Sequence, residues 1–136
     1  MSDFKVVFVS PCFNAGGNFS ALTKSTASQR DLAWVHWIID DMSTDGSQAE
    51  LDTFDLGFSE HNRWNFVVNT EKKYALRNII EVARKYQDEP NTIIATVDGD
   101  DQLCNDDTVG ILRKAYGSGA DVAWTAHRWD TNGMNI

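Results

Sequence analysis

The segment Thr96-Val97-Asp98-Gly99-Asp100-Asp101-Gln102 sets three carboxylates within four positions, directly after the apolar run Ile93-Ile94-Ala95-Thr96-Val97. Carboxylates this close repel one another, and a hard divalent cation that takes several oxygen ligands relieves the repulsion. A polar turn is the competing reading, since Asp and Gly are common turn residues after strands. A second acidic strand end weighs against it: Val35-His36-Trp37-Ile38-Ile39 runs into Asp40-Asp41-Met42-Ser43-Thr44-Asp45-Gly46-Ser47. Two strands ending in acidic loops point to one shared site.

The elements that must position these loops alternate along the chain. Lys5 to Ser10, Trp34 to Ile39, Trp64 to Val68, Thr92 to Val97 and Asp121 to Thr125 are short runs rich in β-branched and aromatic residues, the pattern of strands. Most are continuously apolar, as strands covered on both faces are. Leu76, Ile79, Ile80 and Ala83 have the spacing of one buried helical stripe. Val109, Leu112 and Tyr116 repeat it, with Asn105 or Asp106 as a cap and Gly117 as a stop. Asn18 to Gln29 and Thr44 to Phe54 are weaker helical segments, the second with Ser43 or Thr44 as a cap. Strand and helix in alternation predict a mostly parallel, Rossmann-like α/β sheet with helices on both faces. Ligands of such sheets lie outside the carboxyl ends of the strands, where these acidic loops fall.

Composition narrows the partners. The 136 residues fit one domain over positions 1–136, and no apolar run reaches the length of a membrane helix. Twelve basic against twenty acidic residues leave a net charge of −8, which argues against nucleic acid. Fifteen of the twenty acids are Asp, which places the negative charge in loops, caps and metal sites rather than helices. Cys12 and Cys104 are too few for a disulfide framework or a zinc site. His36, His61 and His127 lack metal-ligand spacing, and no GxGxxG or phosphate-loop lysine follows a strand. The N-terminus has no secretory build, so the expected compartment is the cytoplasm, with peripheral membrane attachment left open through segments beyond Ile136.

Three segments together carry a resemblance. Ser10-Pro11-Cys12-Phe13-Asn14 resembles the P-x-[YF]-N opening of family 2 glycosyltransferases, Ile39 to Ser47 resembles their V-D-D-x-S-x-D-x-[ST] loop, and Asp98-Gly99-Asp100-Asp101 resembles their D-x-D-D motif. They occur in the family's order, with Arg77-Asn78 between the second and third. The resemblance implies a GT-A three-layer sandwich, a nucleotide diphosphate sugar as donor with a UDP-sugar favoured, and inverting transfer to a sugar, lipid or protein acceptor. It also implies a divalent cation, Mn²⁺ or Mg²⁺, held by Asp100 and Asp101, with Asp98 left for a ribose or an outer contact.

Further roles follow from the same resemblance. Asp41 takes the position that hydrogen-bonds the base, accepting from the N3–H of a uracil. Phe13 is either a core residue or the ring on which the base packs, and Asp40 either holds its own loop or contacts the donor. Pro11, Asn14 and Gly99 complete the donor-binding set. Lys73 and Arg77 are the cations expected to reach the diphosphate or balance Asp41. The chain then lacks what an inverting member needs on the acceptor side, a general base after the fifth strand. Asp130 is the only carboxylate beyond Asp121 and carries no sign of being that base, so the catalytic residue is left unassigned. The expectation is therefore a donor half whose acceptor part is largely absent, the chain reading as cut short. A non-catalytic nucleotide-sugar module, or a fragment completed by a partner chain, is the alternative.

Overall fold

The structure, a computed structural model, describes residues 3–58 and 62–125, with backbone alone for 54–58. Four strands, β1 (Lys5–Cys12), β2 (Trp34–Asp40), β3 (Trp64–Val68) and β4 (Thr92–Thr96), lie in the order β3-β2-β1-β4, each pair parallel. Parallel neighbours need crossovers, and helices α1 (Phe19–Ala27), α2 (Ser47–Phe58) and α3 (Tyr74–Lys85) supply them, with α4 (Thr108–Gly117) after β4. The chain steps outward from β1 to β3 and then returns to the far side of β1 to lay down β4. That reversal sets a crevice at the carboxyl ends of β1 and β4, the position at which open α/β sheets bind ligands.

β1 is buried from Val6 to Cys12, and its residues alternate between two covers. Val6 and Phe8 pack with Val109 of α4, and Cys12 with Phe19 and Leu22 of α1 and Leu51 of α2. Val7 and Val9 face the other way, toward Val82 of α3. Pro11 fits a central strand because pairing with β4 ends at Val9. Its carbonyl, which Pro retains, still accepts the Gly99 N–H at 3.3 Å from the loop after β4. His36 is fully buried in β2 between Ser10 Oγ (2.8 Å) and Thr26 Oγ1 (3.1 Å). Burial holds its pKa down at about 3, so it is a neutral core histidine with both ring nitrogens engaged by these hydroxyls.

Two expectations fail here. The stripe Leu76-Ile79-Ile80-Ala83 is only in part the buried face of α3: Ile79 packs against the Val7, Val9 and Val82 cluster and Ala83 is half-buried, but Leu76 is 69% exposed and Ile80 also faces solvent, while Asn78 and Val82 are fully buried. Asn78 turns inward because its carbonyl oxygen accepts a hydrogen bond from Asn69 Nδ2 at 2.9 Å, a polar contact that apolar periodicity does not register. The fifth strand at Asp121–Thr125 is absent; these residues are unpaired and exposed, Trp124 to 89%. Strand propensity is a preference for a covered, pleated surface, and no described residue supplies one there. Smaller shifts occur at helix ends. α2 begins at Ser47, where the Asp45 side chain accepts the Ser47 N–H at 3.0 Å, and the turn after α4 is made by Gly119 at φ +104°.

Candidate functional site

The two acids that end β2 serve different faces. Side chains alternate along a strand, so Asp40 continues the side of Ile38, and Asp41 lies toward α3. Asp40, fully buried, accepts from Ser43 N at 3.0 Å, Ser43 Oγ at 2.5 Å and Gln48 Nε2 at 3.2 Å. It therefore holds its own loop. Ser43 Oγ in turn accepts the Asn14 N–H at 2.9 Å, and Asn14 Oδ1 accepts the Thr44 N–H at 2.8 Å, tying the loop after β1 to the loop after β2.

Asp41 is only 3% exposed. Its Oδ1 accepts from Asn69 Nδ2 at 2.9 Å and the Lys73 N–H at 2.8 Å; its Oδ2 accepts the Tyr74 N–H at 2.7 Å and lies 3.5 Å from the Lys72 ammonium. Asp41 thus caps the positive end of α3 through space. Burial opposes its ionisation, but the Asn69 amide, the two backbone N–H groups and Lys72 outweigh it and hold the carboxyl at about 2. It is ionised at every physiological pH.

Across the crevice, carboxylate oxygens of Asp98, Asp100 and Asp101 lie within 4.8 Å of one another at the surface. The loop that carries them is seated on β1: Val97 N–H donates to Val9 O at 3.1 Å, and Gly99 N–H to Pro11 O. Gly99 is needed for that seat, because a Cβ there would stand 2.3 Å from Cys12 Sγ and 3.2 Å from Cys12 Cα. The Cys12 thiol is pushed far up by its own burial and then by Asp40, Asp100 and Asp98, so it packs beneath the cluster as a neutral thiol.

Phe13, next in the chain, is 54% exposed at the mouth of the crevice. The Lys72 ammonium lies over its ring, 3.2 Å from the centroid, and also donates to Asp41 O at 3.1 Å. Among the described residues, those other than glycine with positive φ are Asn14 (52°), Met42 (66°) and Tyr74 (62°). Asn14 and Met42 stand in the loops after β1 and β2 and Tyr74 at the entry to α3, all at this edge, where strained backbone commonly accompanies function.

The sequence profile of Glycosyl transferase family 2 matches residues 7–134. The chain belongs to that family. A solved structure of S. aureus TarS 1-349 in complex with UDP-GlcNAc superposes with a TM-score of 0.65 at 15% identity, over 85% of this chain and 32% of that one. The mannosyltransferase PcManGT from Pyrobaculum calidifontis, in complex with GDP-Man and Mn²⁺, superposes with a TM-score of 0.69 at 16% identity, over 97% of this chain and 40% of that one. At these identities the likeness is one of fold, GT-A in both cases. The family 2 chain spans about a third of the length of the TarS structure it matches. No curated protein matches it.

The geometry sorts the expected site residues of this family 2 chain. Pro11, Phe13, Asn14, Asp41, Asp98, Gly99, Asp100 and Asp101 all stand at the carboxyl edge of the sheet. The side chains of Lys73 and Arg77 do not join them. Lys73 contributes its backbone N–H to Asp41, but its ammonium pairs with Glu81 at 2.9 Å; Arg77 pairs with Glu71 and Glu81, both at 3.0 Å, on the outer face of α3. Among the described residues the cation against Asp41 and Phe13 is Lys72, which sequence reasoning passed over in favour of its neighbour. Asn69 was missed as well, and its one signal is its position immediately after β3, a strand end like the others. His61, His127 and Asp130 lie outside the described residues. Among the described residues no helix is long and apolar enough to cross a membrane.

Proposed function

We propose that this chain is the donor-binding portion of a metal-dependent glycosyltransferase, taking a nucleotide diphosphate sugar, UDP-linked by preference, and passing its sugar with inversion to a sugar, lipid or protein acceptor. The observation that carries the reading is the pairing of an exposed ring and buried carboxylate, Phe13 and Asp41, with a solvent-facing carboxylate cluster on the other side of the sheet's reversal point. One end suits a base and the other a metal-bound diphosphate.

Asp98, Asp100 and Asp101 fit a divalent cation in donor type and spacing: hard carboxylate oxygens within 4.8 Å, against ligand separations of about 3–4 Å around one octahedral Mg²⁺. Asp100 and Asp101 are assigned as ligands, and Asp98 to the ribose or an outer contact. Bound there, Mn²⁺ or Mg²⁺ would screen the diphosphate from the carboxylates and stabilise the charge that develops as it departs. The protein's own groups do the rest. Phe13 offers a stacking face, worth about 1–3 kcal/mol per base. Asp41, held ionised, offers only acceptors and so suits the N3–H of uracil or thymine; cytosine presents a lone pair at that position and is disfavoured. The Pro11 carbonyl and Gly99 keep the metal loop against β1, and Asn14 fixes the two base-side loops to each other. The 1–136 stretch is proposed to form a single unit. No general base is assigned.

Thermal shift of the chain with UDP, GDP, CDP and dTDP, each with Mn²⁺, Mg²⁺ or EDTA, tests the reading. UDP with Mn²⁺ or Mg²⁺ should stabilise most, CDP least, and EDTA should abolish the effect. Stabilisation that ignores the metal, or none with any nucleotide, would overturn it. The anomeric configuration of the product of any transfer, read by NMR, decides inversion.

A further inference from the structure

The Lys72 ammonium touches both groups proposed to receive the base, Phe13 and Asp41. It covers the Phe13 ring at 3.2 Å from the centroid, donates to the Asp41 carbonyl at 3.1 Å and stands 3.5 Å from Asp41 Oδ2, with the Tyr74 ring 5.5 Å away. The ring face under the ammonium cannot carry a stacked base until the ammonium moves off it. Asp41 Oδ2, already accepting from Tyr74 N–H, has Lys72 as its remaining neighbour. One side chain therefore engages both base-recognition elements at once.

Resting on the donor-site reading above, we propose that Lys72 is a displaceable placeholder on the base seat and a specificity-determining residue: the incoming base displaces its ammonium, and the ammonium then pairs with the diphosphate of the same nucleotide. The side chain is part-exposed and tethered by non-covalent contacts alone. An ammonium over an exposed ring gains a modest cation–π attraction, whereas a diphosphate offers it full negative charges. A nucleoside brings the base without the anion and so displaces Lys72 without compensation. A nucleoside diphosphate repays the displacement. The device thereby raises discrimination for diphosphate-bearing ligands over the free nucleosides.

The test is Lys72→Ala, with uridine and guanosine and their diphosphates as probes, titrated by NMR in the presence of Mg²⁺. Loss of a cation–π contact of this size should tighten nucleoside binding about two- to fivefold. UDP or GDP binding should weaken, and Lys72→Arg should restore the wild-type order. If Lys72→Ala leaves the nucleoside dissociation constant unchanged or raises it, the placeholder role is wrong and Lys72 is an ordinary contact. Failure of the donor-site reading has a different signature, absence of any nucleotide binding by the wild-type chain.

Discussion

Replacing Asp41 by Asn separates a carboxylate that holds the fold from one that only awaits a ligand. The side chain is 3% exposed and accepts from Asn69, Lys73 and Tyr74, with Lys72 adjacent. Asparagine keeps the shape, loses the charge, and turns an NH₂ toward at least one of these donors. The carboxyl moves from 3.8 in the unfolded chain to about 2 in the fold. At ~1.4 kcal/mol per pH unit this amounts to about 2 kcal/mol of stability at neutral pH, within the range for losing a cap or a hydrogen bond to a charged group. A depressed carboxylate stabilises fully above its unfolded pKa and loses that contribution as pH falls through the folded one. Asp41→Asn should therefore unfold about 2 kcal/mol more easily at pH 7, on the order of 5–10 °C in Tm for a chain of this size. The gap between wild type and variant should narrow as pH falls from about 4 toward 2. Urea unfolding followed by tryptophan fluorescence across pH 7 to 2.5 measures both quantities. Equal stabilities at pH 7, or a gap that stays undiminished at the acid end, would refute the capping role.

Two more predictions follow from packing and burial. Gly99→Ala puts a methyl 2.3 Å from Cys12 Sγ, so it should lose about 1–3 kcal/mol through overpacking and abolish the metal-dependent nucleotide shift; adding Cys12→Ala, which leaves the nearest contact at 3.0 Å, should restore part of the stability. A Gly99→Ala variant with wild-type Tm and metal response would show that the loop does not need its seat on β1. His36 is buried neutral with its pKa lowered to about 3 from 6.5, so the unfolded chain takes up a proton that the folded one refuses; stability should fall by about 1.4 kcal/mol per pH unit on acidifying below 6.5. In His36→Gln, whose own stability will be lower, that part of the slope should disappear from urea titrations between pH 7 and 4.5, and an unchanged slope would place the effect elsewhere.

Much of the site was legible because its residues are strand-end residues. β-branched runs located β1 to β4 to within two residues, and the acids after β2 and β4 then had to share the carboxyl edge of a parallel sheet. What escaped was anything set by a choice between neighbours. Lys72 and Lys73 are chemically identical, and the left-handed Tyr74 at the entry to α3 accompanies a turn that puts one ammonium on Phe13 and the other on Glu81. On α3 the apolar pattern favoured Leu76 and Ile80, but the Asn69–Asn78 hydrogen bond turned a polar residue to the sheet. Asp121–Thr125 had strand composition without any described surface to cover it.

The sequence by itself determined the class of the protein: alternating buried strands and helices, a run of acids where a parallel sheet presents its ligand edge, and three motifs in one order. Those are properties of residue type and spacing, which a chain carries whether folded or not. Tertiary structure decided the division of labour among the charged groups. Asp40 and Asp41 are adjacent in sequence, yet the two-residue period of β2 sends one to the loop and the other to the N-terminus of α3. Which cation faces Asp41, and whether the Phe13 ring is covered or open, depends on how α3 approaches the sheet. Only the folded backbone holds that approach.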